Sequence, residues 1–244
     1  MRLLFAHAKA ASLELFRYPA FSVPTLLFPA MFFLFFVTTR PGLTETRATL
    51  FLASFVGFAV LGVAFFQFGV GIAVDRVSPW ETFLRALPIA LWIRFGARVL
   101  SALQFGLASV VFVVVVALLT TSAQLPPSRW LLLGATALVA SIPFALLGIA
   151  LGYWARPRGA LPIANVLYLV LAFAGGLWTT PERASASGDL AYVVPTRPFA
   201  DVLWGAVSGD VWRPAAWIAL GAYTVLFAAV ARRGYQRDEG ERYS

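Results

Sequence analysis

The sequence predicts an all-α integral membrane protein forming a single transmembrane domain over residues 1–244. It has six transmembrane helices, an amphipathic interfacial helix ahead of the first, and an external re-entrant hairpin between the fifth and sixth. Three observations predict it. Mean hydropathy is +0.81 and charged residues make up 12% of the chain, far outside what a soluble domain of this length tolerates. Six stretches, 18–39, 48–74, 99–128, 130–155, 159–181 and 214–231, contain no Asp, Glu, Lys or Arg, and about 20 apolar residues suffice for a helix to cross a bilayer core roughly 30 Å thick. Runs such as VVFVVVVALL lack the apolar–polar alternation of a barrel strand, so backbone hydrogen bonds must close within each segment, as helices do.

Residues 3–16, LLFAHAKAASLELF, are too short and too charged to span and read as an interfacial helix on the cytoplasmic leaflet, ending at Pro19. Its role is either simple anchoring or a mechanical one, and His7 reads as a residue of its polar face. The first span, about 20–39, is read as a retained anchor rather than a cleaved signal, because its apolar run is too long for a signal core and lacks a small-residue cleavage site. Pro19, Pro24 and Pro29 recur every five residues and predict an irregular or kinked start. The remaining spans are placed at about 49–74, 99–120, 130–154, 160–179 and 214–231. In the fourth, Gly148 and Gly152 of GIALG have the small-xxx-small spacing that allows close helix approach, read here as packing within one subunit. Gln67, Gln104 and Asn165 are amides inside apolar spans; they are candidates either for a translocation path or for interhelical hydrogen bonding.

Orientation follows from the basic residues. With six spans both termini share a side, and that side holds 13 of the 19 Lys and Arg residues. The positive-inside rule places it in the cytoplasm. The acidic residues divide almost evenly, 6 inside and 5 outside, so the net charge of +8 is concentrated on the cytoplasmic face, where topology accounts for it without a nucleic-acid partner.

Several chemistries are excluded. The chain has no cysteine and one histidine, His7, which removes Cys/His metal sites and His-dependent nucleophilic catalysis in the membrane. Its sole lysine, Lys9, lies outside any glycine-rich loop, so there is no phosphate-cradling ATP site of that kind. None of the six spans carries a carboxylate, whereas ion-coupled pumps place ionisable groups at membrane depth. A transporter made from this chain draws its energy from elsewhere.

Two patches depart from the apolar pattern. Residues 75–97 begin DRVSPWETFLRALP and carry Asp75, Arg76, Trp80, Glu81, Arg85 and Arg94. Residues 180–210 follow Gly175 and Gly176, turn at Pro181, pass through a Ser/Ala/Gly stretch, and become apolar again in LAYVVPTRPFADVLWGAV. That run is too short to cross, and Pro195 and Pro198 are expected to break a continuous helix through it. It reads either as a hairpin dipping into the outer leaflet or as an ordinary external loop.

The order of these features resembles the permease subunits of type-2 ATP-binding-cassette exporters. In that family the segment after the second span commonly has an acidic-Arg pair, a small residue, a glutamate and a closing proline; here Asp75 and Arg76, Ser78, Glu81 and Pro88 stand at those positions. The external patch, GGLWTTP followed by VVPTRPFADVL, has Arg197, Pro198, Phe199 and Asp201 where the family often has an Asn-Pro-Leu element and an acidic residue. The resemblance implies that residues 75–97, through Asp75, Arg76, Trp80, Glu81 and Arg85, dock on a separate ATPase subunit that binds the ATP, so that this chain is no enzyme and holds no cofactor. It implies a second permease copy, in a homodimer or heterodimer, and a bacterial or archaeal plasma (inner) membrane. An interior poor in polar side chains points to an amphipathic or lipid-like substrate. A non-transporting membrane assembly protein is the alternative, and an intramembrane enzyme is disfavoured by the missing chemistry.

Overall fold

A computed structural model describes residues 19–79, 91–179, 181, 193–209 and 214–243. The expected interfacial helix 3–16 lies outside them, as do Trp80, Glu81 and Arg85. Helices α1 (Pro19–Phe36), α2 (Glu45–Asp75), α3 (Leu91–Thr120), α4 (Pro127–Trp154), α5 (Pro157–Ala174), α6 (Thr196–Ser208) and α7 (Pro214–Tyr243) make up the described fold, an all-helical multi-pass membrane architecture. Five of them, α2, α3 from Gly96, α4, α5 and α7 to Gly240, are long and apolar enough to cross a membrane, and α1 is apolar over its 18 residues.

Helix α2 is the hub. Thr44 caps it by accepting the amide of Arg47 on its side-chain oxygen, and almost every side chain from Ala48 to Val70 is buried among α1, α3, α4, α5 and α6. A helix apolar all round belongs in the middle of a bundle. The other spanning helices bury one stripe, of small residues such as Ala160, Ala164 and Ala172 on α5, and expose aliphatic side chains such as Leu107, Val111, Val166 and Val225 on the other, the surface that lipid covers.

Two local departures matter for packing. From Ala64 to Val70, α2 widens into a π-helical turn, a feature often found at functional sites. Gly148 and Gly152 of α4 press against this region: a Cβ on Gly148 would overlap the carbonyl oxygen of Ala64, and one on Gly152 would lie 2.7 Å from the Ile72 Cβ. The small-residue pair thus serves packing within one chain. Gly148→Leu is expected to destabilise the protein by about 1–3 kcal/mol through overpacking, read as a lowered thermal transition in detergent; the parent transition would contradict this contact. The second departure is Ser141, a turn residue between two helical halves of α4, where Pro143 has no amide to continue the ladder.

The proline-rich stretch expected to be irregular or kinked at Pro19, Pro24 and Pro29 is helical from Pro19 to Phe36. Apolar spans tolerate Pro24 and Pro29 when neighbouring groups compensate. At its other end α7 continues to Tyr243. Charge alone marked 231 as the boundary, but RRGYQRDEGERY contains no proline to stop a helix.

Connections cluster at two opposite ends. At one, Thr49 Oγ1 and Gln124 meet, Arg40 Nη2 donates to Trp178 O at 3.0 Å, and Arg129 reaches Ala206 O. At the other, Arg76 meets Ala155 and Asp238. This alternation is what successive spans produce.

Candidate functional site

At the first end the chain leaves α5 through Gly175 and Gly176, both buried. Gly176 sits at φ +82°, a left-handed conformation that glycine adopts without strain. Gly175 has no room for a side chain because Thr196 lies against it, its hydroxyl donating to Leu171 O. Trp178 then stacks on Phe32 and Phe36 at 5.5 Å. Pro181 is half-buried; residues 182–192 lie outside the description.

Helix α6 follows. Pro195 stands at its N-cap and Pro198 in its first turn, so these prolines open a helix instead of breaking one, since first-turn amides have no intrahelical acceptor. Its residues 196–200, 202–204, 206 and 207 are buried. Phe199 and Leu203 lie directly over Gly57 of α2, Phe199 packs on Phe144 at 5.0 Å, and Trp204 Nε1 donates to Ser54 Oγ at 2.7 Å. Gly57 is twelve residues past Glu45, or about 18 Å along the helix axis. The C-terminal end meets Arg129, whose guanidinium lies beside Gly209. Thus α6 runs from the interior of the bundle towards that end.

Arg197 is the unexpected residue of this region. Charge counting put it in an external loop, yet it pairs with Asp201 one turn on, Nη2 to Oδ1 at 3.0 Å, with side chains 4% and 7% exposed. Its guanidinium also sits 5.4 Å over the Trp204 ring. Burial of both charges is tolerated because each neutralises the other and hydrogen bonds accompany the pairing. The i,i+4 spacing of Arg197 and Asp201 was the available signal.

At the opposite end, Asp75 and Arg76 have partners within the chain. Asp75 pairs with Arg98 of α3. Arg76 Nη1 donates to Asp238 Oδ1 of α7 at 2.6 Å, and its Nη2 donates to Ala155 O at 2.7 Å. The two residues therefore hold the root of the charged segment, whose more distal Trp80, Glu81 and Arg85 lie outside the described residues.

The three candidate path amides are in different settings. Gln67 is buried in the π-helical turn, with no hydrogen-bond partner for Nε2 among the described residues. Gln104 is exposed on α3, and Asn165, half-buried on α5, donates back to Leu161 O at 3.1 Å. Among the described residues no hydrogen bond joins any two of them, and no group of three or more His, Cys, Asp or Glu is arranged to hold a metal ion.

No family model matches this chain, and no solved structure does. Over 169 residues the chain is 25% identical to a Bacillus subtilis (strain 168) protein named "Putative transport permease YvfS", covering 68% of this chain and 69% of that one. That similarity and the bundle of apolar helices together support a membrane transport function.

Proposed function

We propose that this chain is the membrane half of an ATP-driven exporter: paired with a second permease copy, it moves an amphipathic or lipid-like molecule out of the cytoplasm or inner leaflet, and a separate ATPase subunit supplies the energy. The observation that carries the reading is the pair of ion bridges at the root of residues 75–97. They fix the base of a charged, Trp-containing segment to the ends of the bundle, which is what a segment that receives force requires. The similarity to a transport permease agrees with this. The ATPase, the direction of transport and the second copy rest on the family resemblance.

The depth of α6 among the spans supports a re-entrant hairpin over residues 180–210. The aromatic and aliphatic interior, with Phe33, Phe51, Phe55, Phe58, Phe65 and Phe105 fully buried, supports an apolar or amphipathic substrate. Gln67 is the best candidate to meet that substrate, because its buried amide has hydrogen-bonding capacity to spare.

Two measurements test the reading. The purified chain is expected to neither bind nor hydrolyse ATP by itself, and to support ATP-dependent transport in liposomes only with an ATPase subunit added; turnover by the chain alone, free of contaminating ATPase, refutes it. For topology, Ser187→Cys and Ser244→Cys placed singly in this cysteine-free chain are expected to report opposite sides, with an impermeant thiol reagent labelling only Ser187→Cys on intact cells. The reverse pattern overturns the orientation.

A further inference from the structure

Arg76 stands where three helix ends meet. It follows the last residue of α2, bonds the carbonyl of Ala155 at the end of α4, and bonds Asp238 on α7. One residue earlier, Asp75 binds Arg98 of α3. The Arg76 and Asp238 side chains are 15% and 10% exposed, which shelters the pair from the water and salt that weaken surface bridges.

Helices α4 and α7 already adhere here without these charges. Trp154 Nε1 donates to Val230 O at 3.1 Å, Tyr153 and Tyr235 meet edge to face, and Arg237 lies over the Trp154 ring. From the end of α2, Arg76 hydrogen-bonds to both α4 and α7. Helix α2 is itself packed on α4 through Gly148 and Gly152, so what the charges add is a direct tie from the end of α2 to α7.

We propose that Arg76 and Asp238, with Asp75 and Arg98, are positioning residues that lock the ends of α2, α3, α4 and α7 into one body at the root of residues 75–97, so that a displacement of that segment reaches α7 together with α2. The bidentate use of Arg76, one nitrogen on a carboxylate and one on a carbonyl, fixes direction as well as distance. The transmitted displacement rests on the reading of residues 75–97 as the coupling element; the lock itself does not.

The test uses spin labels at Val77→Cys and Gln236→Cys, both exposed positions, in the full chain in lipid nanodiscs. The parent is expected to give one narrow distance distribution. Asp238→Ala is expected to lose it, and Asp238→Glu, which keeps the charge, to retain it. In the complex with the ATPase, vanadate trapping is expected to leave the parent distance unchanged and to shift it in Asp238→Ala. A distribution as narrow in Asp238→Ala as in the parent overturns the lock, and a shift on trapping in the parent overturns joint movement. Should no ATPase bind, the nanodisc measurements still decide the lock, and only the coupling reading fails.

Discussion

Arg197→Ala is expected to destabilise the protein by about 3–5 kcal/mol, the cost of leaving a buried charge without its partner. Asp201 is 7% exposed in its side chain, and the substitution leaves its carboxylate buried without the guanidinium it pairs with. The loss spreads, because the guanidinium over Trp204 helps to hold the indole that donates to Ser54. Asp201→Ala is expected to cost a similar amount. The double variant Arg197→Met, Asp201→Leu is expected to be near neutral or more stable, since well-packed apolar residues replace a buried pair without its desolvation cost. Thermal unfolding in detergent checks all three. If Arg197→Ala costs under about 1 kcal/mol, as exposed pairs do, the pair is solvated and α6 lies nearer the surface than described.

That pair also shows where the sequence stops being legible. Apolar length located the five helices that are long and apolar enough to cross a membrane, because a charge-free run of suitable length has few other uses. Charge-free length does not mark helix ends: α2 starts at Glu45 and α7 runs to Tyr243, since a helix does not stop where its polarity changes. The π-helical turn around Gln67 and the break at Ser141 were invisible, the first because it depends on how α4 packs against α2. Pro195 and Pro198 looked like breakers, and only the position of the helix start turns them into first-turn residues. Asp75 and Arg76 stood out by charge, but their partners Arg98 and Asp238 lie 23 and 162 positions away. No local pattern encodes such a pairing.

The other large effect concerns Trp80 and Glu81. In the proposed reading, with Asp75 and Arg76 anchored within the chain, the distal part of the segment meets the ATPase, and a large aromatic beside a carboxylate suits a docking hot spot better than it suits topology. Truncating such residues typically costs about 2 kcal/mol or more, roughly thirtyfold in affinity for each, whereas a charge serving topology, the role read for Arg94 in α3, costs under about 1 kcal/mol. Arg94→Ala is therefore expected to do less than either.

Co-purification of an ATP-binding-cassette ATPase subunit with the parent chain and with the Trp80→Ala, Glu81→Ala double variant, from membranes in which both insert equally, tests the central claim most directly. The predicted result is an ATPase retained by the parent and lost, together with export, in the double variant. Equal retention and unaltered export in both would make residues 75–97 an ordinary loop and remove the coupling element from the account.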